Sequence, residues 1–496
     1  MGEKEKTGKR GIDRRTFLKY GGALSATALT ASVWPPAARS VEAATVEGAT
    51  VEERAVNAAK AMKTKVDLNI MMWGQYSRGA TQKLAAEFKE KTGIGFRYID
   101  INVFMIPQRA VAEAMAKSGK IDIFHVDSTM VPTLARAGLA QPMDKWMKKG
   151  GHKIETVGPL SGHMRYRGEN YALLTDGNVH TLFIRKDFFE NPEERKKFQD
   201  KYGRPLTWPK TWPEYLDMIK FFTRPDKGFY GSGDIRGRKA GATFWWCMHF
   251  YSKGGFPFDD DMNPAIYNEK GIEATKEYIA TRPAAPKEAP DWGTTQTIPF
   301  IRNGGIFACA YWDGLIQALQ HPKSPTKGKW LFGVVPGSMV DGKLKIRAIS
   351  SPVTSYVINR RGKNPEAAYW ICQYLTGPKH SALVVGDPDN AFHDPWHPGH
   401  FEDPQIIKAY TPQGMKAIHK CLQVTSPSFL LPGFQEFNDL LDKNLADAFI
   451  GTISAEEAMK RTEKEWRSSV RRSGRRQLVK DLETYKAAMP TIDVPV

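Results

Sequence analysis

The chain has 496 residues, of which 41% are hydrophobic and 25% are charged. This balance is typical of a soluble globular protein with two or three domains, and it argues against a disordered or fibrous chain. The formal net charge of +17 is spread along the sequence without the interleaved aromatic repeat of a nucleic-acid-binding protein. We interpret the densest basic run, from Arg467 to Lys480, as the solvated face of a late helix, with nucleic-acid or membrane contact as the alternative.

The N-terminus carries the pattern of an export signal. Residues 13–19, DRRTFLK, form a twin-arginine motif, and a weakly apolar run follows from Tyr20 to Trp34. Small residues before position 44 predict cleavage by signal peptidase near Ala43. We therefore expect residues 1–43 to be a signal peptide for the twin-arginine (Tat) translocase, a partner during export, and the mature protein to be periplasmic. The apolar run is too short and too rich in small residues to favour a membrane anchor.

The next segments predict a parallel sheet covered by helices. Residues 44–65 are rich in Ala, Glu and Lys and are predicted to be a linker or a loose helix. Strand patterns then alternate with helical patterns. The predicted strands are 66–73, 96–101 and 121–126, and the predicted helices are 81–91, 106–118 and 130–137. Ligands of such sheets bind at the carboxyl ends of the strands. The residues at these ends are Trp73, Gln75, Tyr76, Asp127 and Ser128.

The stretch from Tyr171 to Phe189 is predicted to be two strands joined by a polar kink. The strands are 171–174 and 179–184, and the turn formers Asp176, Gly177 and Asn178 lie between them. Such a kink can carry the chain from one lobe to another and place a carboxylate and an amide at the seam. An ordinary β-turn is the alternative interpretation.

The second half of the chain repeats strand and helix signals. Predicted helices are 213–222, 242–251, 272–280 and 365–375, and predicted strands are 306–312, 330–335 and 346–358. From residue 404 the pattern is mostly helical, with a break at 426–432. The four cysteines form no C-x-x-C pair, and we expect buried free thiols because Tat cargo folds before export.

Many segments, taken in order, carry a resemblance to one known family. They are 68–73 (LNIMMW), 88–93 (FKEKTG), 122–125 (DIFH), 137–139 (AGL), 171–189, 209–212 (PKTW), 254–255 (GG), 300–313, 356–376 and 451–466. Their order and spacing over most of residues 66–470 are similar to those of the family 1 extracellular solute-binding proteins. These are the maltose-binding-protein-like receptors of ABC importers.

The resemblance implies an α/β fold: the two-lobed periplasmic-binding-protein fold of type II (maltose-binding-like), with hinge crossovers and a helical C-terminal segment. It places the crossovers at 176–178, 312–313 and 350–351. The implied N-terminal lobe comprises 66–176 plus 313–349, and the implied C-terminal lobe comprises 177–312 plus 350–490. The implied partners are a small-molecule carbohydrate and ABC permease subunits in the inner membrane. Catalysis, cofactors, metals and nucleic acid are not implied.

Ligands of this family are usually sugars, oligosaccharides or polyols, and the candidate residues suit them. Aromatic rings cover the C–H faces of a sugar, whereas carboxylates, amides and hydroxyls bind its hydroxyl groups. The aromatic candidates are Trp73, Tyr76, Phe244, Trp245 and Trp312. The polar candidates are Gln75, Asp127, Ser128, Asp176, Asn178, Asp313 and Ser350. The alternative for each aromatic residue is a place in the core, and for each aspartate a turn or helix cap.

Two other interpretations remain open at this point. The run 393–400, HDPWHPGH, could hold a transition metal through His393, His397 and His400, as in a Tat-exported metal-dependent enzyme acting on carbohydrate. Its prolines exclude the helical histidine spacing of a metalloprotease. Alternatively, the ligand is an anionic sugar, with Arg347 or Arg78 as the counter-charge. The surrounding loop 386–404 could add a wall to the pocket.

Overall fold

A computed structural model describes residues 45–101, 105–116, 118–237, 241–388 and 393–496. The predicted signal peptide and its cleavage site therefore lie outside the described residues. The chain from Ala44 to Val496 forms one compact unit. In the described part of the chain, no helix is both long enough and apolar enough to cross a membrane.

Strands and helices alternate along the described chain. The strands are β1 (Val66–Met72), β2 (Ile94–Asp100), β3 (Ile123–Asp127), β4 (Arg165–Tyr166), β5 (Glu169–Asn170), β6 (Ala172–Leu174), β7 (His180–Arg185), β8 (Tyr230–Ser232), β9 (Ile306–Trp312), β10 (Trp330–Gly333), β11 (Gly337–Val340), β12 (Lys343–Ile346), β13 (Ala348–Ile349), β14 (Thr354–Ile358) and β15 (Thr425–Ser426). The α-helices span Val51–Ala61, Gly79–Thr92, Ile106–Ala116, Val131–Arg136, Asp144–Gly150, Lys186–Phe189, Pro192–Tyr202, Trp212–Phe221, Ala242–Ser252, Glu269–Ala280, Thr294–Arg302, Leu315–Gln320, Pro365–Thr376, Pro378–Val385, Pro404–Tyr410, Pro412–Gln423, Phe434–Ile450, Ala455–Ser473 and Arg475–Ala487.

The first lobe is built on a five-stranded sheet with the order β2-β1-β3-β14-β6. Strand β1 is parallel to β2 and β3, whereas β14 is antiparallel to both β3 and β6. The side chains of β3 and β14 are almost all buried because helices cover both faces of the sheet, as the continuous apolar runs predict. The expected parallel sheet is thus present, with one antiparallel strand inserted in it.

The second lobe is built on a four-stranded sheet with the order β10-β7-β9-β8. Strand β7 is antiparallel to β9 and β10, and β8 is parallel to β9. Helix Ala242–Ser252 packs beside this sheet with nearly every side chain buried. The C-terminal helices follow from Pro404 onwards, and the break predicted at 426–432 lies between Gln423 and Phe434.

Three passages of the chain connect the lobes. The first passage, residues 175–179, runs from β6 to β7, and the second, residues 350–353, leads into β14. The third passage, residues 386–403, leads from helix Pro378–Val385, which packs in the first lobe, to helix Pro404–Tyr410, which packs in the second. Residues 389–392 of this passage lie outside the described residues.

The predicted crossover at 312–313 is wrong, because both strands that flank it, β9 and β10, belong to the second sheet. The predicted lobe boundaries differ from the sheets for the same reason. Strand β10, assigned to the N-terminal lobe, pairs with β7 in the second sheet, and β14, assigned to the C-terminal lobe, lies in the first sheet. The crossovers at 176–178 and 350–351 agree with the sheet order.

The segment predicted as a linker or loose helix contains a packed helix, Val51–Ala61. Thr50 caps its N-terminus by accepting a hydrogen bond from the Glu53 amide. Its alanines at 55, 58 and 59 are buried against helix Pro365–Thr376 in the core of the first lobe. Their spacing places them on one face of a helix, so this segment belongs to the lobe.

Candidate functional site

One edge of the first sheet gathers most of its candidate residues. Because β1, β3 and β6 run in the same direction, their carboxyl ends meet at this edge. Trp73 follows β1, Asp127 ends β3, and Asp176 follows β6. The ring of Tyr76 lies 5.9 Å from the ring of Trp73 and 4.8 Å from the ring of His125, measured between centroids. The candidate residues therefore lie together at the carboxyl edge of this sheet, where the sequence pattern predicts a ligand to bind.

The matching edge of the second sheet is lined by aromatic rings. The start of β7 pairs with the end of β9, so that His180 lies opposite Trp312. The Trp312 ring centroid is 5.0 Å from that of His180, 5.4 Å from that of Trp245 and 6.1 Å from that of Phe244. We refer to these four residues as the aromatic cluster. It combines three of the five aromatic candidates.

Hydrogen bonds join this second edge to the first and second chain passages. The Val179 amide donates to Asp313 Oδ1 at 2.8 Å, and the Asp313 amide donates to the Val179 carbonyl at 3.0 Å. The indole N–H of Trp312 donates to the Ser351 carbonyl at 2.7 Å. The Asn178 amide nitrogen donates to the Pro352 carbonyl. Candidate residues of both lobes are thus linked within one network at the passages.

A group of buried acids lies where the first and third passages meet. The Asp394 amide donates to Asp176 Oδ1 at 2.8 Å, and the Tyr410 hydroxyl donates to Asp394 Oδ1 at 2.6 Å. Burial, followed by repulsion from Asp394, holds the pKa of Asp176 and of Asp313 well above the usual range. We call Asp176, Asp313 and Asp394 the acid cluster.

Exposure divides the candidate residues into two groups. Trp73, Gln75, Asp127, Phe244 and Trp312 are half-buried, and we take them as the candidates that a ligand can reach. Tyr76, Ser128, Asp176, Asn178, Trp245, Asp313 and Ser350 are buried. Trp245 is 2% exposed, and its indole N–H donates to the Ala310 carbonyl at 2.8 Å, an arrangement typical of a core residue.

Among the half-buried residues, Asp127 has a distinctive electrostatic environment. Its Oδ1 accepts a hydrogen bond from the Thr129 amide at 3.0 Å, which caps the short 3₁₀-helix Ser128–Met130. Burial nevertheless raises the pKa of Asp127 to about 6. The predicted alternative role, a helix cap, is therefore present.

The buried candidate Ser350 supports the second passage. Its hydroxyl lies 2.6 Å from the Thr425 hydroxyl, and its amide donates to the Ser426 carbonyl at 3.0 Å. Ser128 has a similar place in the first lobe, because its amide donates to the Val353 carbonyl at 2.6 Å. Both serines hold backbone segments together beside the site.

Sequence reasoning missed several residues of the site, above all His180, Asp394 and Tyr410. His180 Nδ1 lies 3.0 Å from the Ile349 carbonyl, so this nitrogen carries the proton and Nε2 is an acceptor. Burial lowers the pKa of His180 to about 4, which keeps the ring neutral. The sequence did offer one signal for His180, because it is a polar residue next to an apolar strand segment. Asp394 and Tyr410 gave no local signal. Asp394 bonds to Asp176, which lies 218 residues earlier in the chain, and to Tyr410, which lies on the helix that follows the third passage.

The structure gives His400 and Arg347, named in the two alternative interpretations, other partners. His400 uses both ring nitrogens, since Nε2 lies 3.0 Å from the Ser381 hydroxyl and Nδ1 accepts from the Trp396 amide. Within the described ranges, no group of three His, Cys, Asp or Glu side chains has the arrangement of a metal site. Arg347 donates to Asp493 at 2.7 Å and to two backbone carbonyls, so its guanidinium binds the C-terminal segment.

The four cysteines, Cys247, Cys309, Cys372 and Cys421, are buried free thiols, which confirms the sequence-based prediction. Burial raises the pKa of the Cys421 thiol to about 12, so this thiol is protonated and unreactive at neutral pH. The thiols therefore belong to the apolar cores of the lobes.

The protein has two α/β lobes joined by three chain passages, and candidate residues lie at strand ends of both lobes. This arrangement is typical of ligand-binding receptors that close on a solute. Residues 74–382 match the model of the bacterial extracellular solute-binding protein family. The chain belongs to this family. Its members are binding proteins of ABC transporters and not enzymes, which confirms the family and the absence of catalysis expected from the sequence.

Solved structures share the fold at low sequence identity. One is a solute-binding protein of Agrobacterium radiobacter in complex with ribitol, with a TM-score of 0.68 and 18% identity over 82% of this chain and 98% of that chain. Another is a solute-binding protein of Agrobacterium vitis with bound D-mannitol, with a TM-score of 0.66 and 16% identity over 82% and 99% of the two chains. Maltose-bound MalE3 of T. maritima has a TM-score of 0.67 and 16% identity over 81% and 99%.

A curated relative is a probable amino-acid ABC transporter periplasmic-binding protein of Sinorhizobium fredii. It is 21% identical over 348 residues, which cover 66% of this chain and 72% of the relative. At these identities the structural neighbours establish the two-lobed fold, and the ligand has to be argued from the residues of the site.

Proposed function

We propose that the protein captures a sugar, an oligosaccharide or a polyol between its lobes and delivers it to permease subunits in the inner membrane. The observation that carries the proposal is the combination of aromatic and polar side chains at the strand ends of the two sheets. The reachable residues of the second lobe are aromatic, Phe244 and Trp312, whereas those of the first lobe add Asp127 and Gln75 to the ring of Trp73. Rings and oxygen acceptors of this kind suit a guest with C–H faces and hydroxyl groups.

Binding is coupled to closure in this proposal. A ligand that contacts both edges at once favours the closed arrangement over the open one, and its differential affinity sets the extent of closure. The polyol and maltose ligands of the structural neighbours support the ligand class. An amino-acid ligand, suggested by the curated relative, would also require a donor for its carboxylate beyond the acceptor-rich candidates.

We further propose that the protein acts in the periplasm after export by the Tat translocase and removal of residues 1–43. The twin-arginine motif at 14–15 supports this route. Fusion of residues 1–43 to a reporter that folds in the cytoplasm tests it. The reporter should reach the periplasm, and replacement of both arginines by lysine should retain it in the cytoplasm.

A thermal-shift panel of sugars, polyols and amino acids, followed by calorimetric titration of the compounds that shift the melting temperature, tests the ligand class. A ligand at 100 times its Kd should stabilise the protein by about 2.7 kcal/mol, which gives a measurable rise in Tm. We expect a polyol or sugar to give the largest rise. Stabilisation by amino acids alone would contradict the carbohydrate proposal while leaving the solute-binding family intact.

A further inference from the structure

Residues 394 and 395 of the third chain passage lie directly on residues 176 and 177 of the first. The Gly177 amide donates to the Asp394 carbonyl at 3.0 Å, and the Asp394 amide donates to the Asp176 side chain at 2.8 Å. A Cβ atom at Gly177 would lie only 2.1 Å from the Pro395 carbonyl oxygen. A change in the angle between the lobes therefore has to move or break this contact between two of the three passages.

The carboxyls at this contact face one another. The Asp394 carboxyl lies within hydrogen-bonding reach of the carboxyls of Asp176 and Asp313. Asp313 Oδ2 is buried, and no described amide, hydroxyl or amine donates to it. An ionised carboxylate has only acceptors, whereas a protonated one offers an O–H donor. A proton shared among the members of the acid cluster would give Asp313 Oδ2 the donor that it lacks.

Among the described residues that face the cluster, none carries a fixed positive charge. Tyr76 faces it from the turn after β1, Asp127 from the end of β3, and Tyr410 from helix Pro404–Tyr410. His393 precedes Asp394, and its ring packs 5.0 Å from the Tyr76 ring, measured between centroids. Burial is the main cause that raises the pKa of Asp394, and hydrogen bonds from its neighbours only partly oppose it.

We propose that Asp394 is a positioning residue of the hinge, which fastens the third chain passage to the first by sharing protons with Asp176 and Asp313. The arrangement of the lobes described here is then favoured at low pH and loosened as the pH rises. A change of ligand affinity with pH would follow from this only through the proposed function. The change of stability with pH does not depend on any ligand.

The sign of the effect follows from proton linkage. A raised pKa means that the folded protein binds more protons than the unfolded chain. The stabilisation is fully present below the usual aspartate pKa, near 4, and is lost as the pH rises through the raised value. Asparagine at 394 does not ionise, yet its oxygen can accept from Tyr410 and its nitrogen can donate to a neighbouring carboxylate. The variant should therefore gain stability relative to wild type as the pH rises.

The test compares melting temperatures of the full chain and of Asp394→Asn at about pH 5 and about pH 8. We expect the Tm of the variant minus that of wild type to increase by about 2 °C or more between the two pH values. Asp341→Asn is the matched control, because Asp341 is exposed in the turn between β11 and β12. Its difference from wild type should be the same at both pH values.

An equal difference at both pH values for Asp394→Asn would overturn the proposal. If this variant does not fold, Asp313→Asn carries the same expectation. Failure of both variants to fold would also contradict the proposal, because an uncharged amide should substitute for a protonated carboxyl. The many buried histidines contribute their own pH dependence to every variant, and the comparison with wild type cancels it.

Titration with ribitol and D-mannitol at the same pH values separates this proposal from the proposed function. If neither polyol nor any sugar binds while the pH-dependent difference is present, the carbohydrate proposal fails and the role of Asp394 stands. If a ligand binds and the difference is absent, the role of Asp394 fails and the carbohydrate proposal stands.

Discussion

Trp312 and Trp245 lie side by side and are expected to have different functions. Their ring centroids are 5.4 Å apart, but Trp245 is buried with its N–H bonded to Ala310, whereas Trp312 is half-buried. A buried tryptophan contributes mainly to stability, and an exposed ring at a strand end can cover the face of a sugar. We therefore expect Trp245 to serve the core and Trp312 to contact the ligand.

Replacement of each tryptophan by leucine should separate the two roles. We expect Trp312→Leu to weaken binding of the responding sugar or polyol at least about tenfold, or about 1.4 kcal/mol. Trp245→Leu should instead lower the free energy of unfolding by about 3 kcal/mol, because it leaves a cavity and an unpaired carbonyl. Calorimetric titration and urea unfolding of both variants measure the two quantities. The opposite pattern would assign the ligand contact to Trp245.

Asp127 should make binding depend on pH. Burial raises its pKa to about 6, so the carboxyl changes from protonated to ionised as the pH rises through this value. The ionised form accepts charge-assisted hydrogen bonds from hydroxyl groups of a ligand. We expect affinity to fall as the pH is lowered from about 7 to about 5, and Asp127→Asn to lose this dependence. A variant with the pH profile of wild type would exclude Asp127 from the contact.

At the scale of single residues, sequence patterns predicted position better than role. Trp73, Asp127 and Trp312 were placed at the correct strand ends because each directly follows or ends an apolar run. Burial could not be predicted in the same way, since Trp245 and Trp312 have similar apolar neighbours in sequence. The neighbour that shields Trp245 is the carbonyl of Ala310, 65 residues away along the chain.

Among whole elements, helix Val51–Ala61 shows how a weak local signal can hide a packed element. Its alanines offer little apolar surface, so that its composition resembles a linker, yet Ala55 and Ala59 are fully buried. The Glu52 carboxylate accepts a hydrogen bond from the Lys379 amide at 2.8 Å, which ties the helix to the start of helix Pro378–Val385. Small side chains here allow two helices to approach closely.

This packing predicts a large difference between two identical substitutions in the helix. Ala59→Glu buries a charge in the core of the first lobe and should lower the free energy of unfolding by about 3 kcal/mol or more. Ala61→Glu, at an exposed position of the same helix, should change it by about 0.5 kcal/mol or less. Urea unfolding measures both values. Similar values for the two variants would show that the helix is not packed as described.

For the whole molecule, the sequence predicted two lobes but not their complete membership. Strands β10 and β14 are both short apolar runs, and nothing within either run indicates which sheet it joins. Their partners, β7 in one sheet and β3 in the other, are far away in sequence, and the pairing is decided by packing of the folded chain. The third passage was missed for the same reason, because its contact with Asp176 spans 218 residues.

The central claim is that a hydroxylated ligand draws together two lobes linked by three chain passages. Small-angle X-ray scattering of the purified protein, with and without a saturating amount of the sugar or polyol that most raises Tm, tests this claim most directly. We predict a smaller radius of gyration with the ligand, because contacts to both strand edges favour the closed arrangement. An unchanged radius of gyration at saturation would contradict the account.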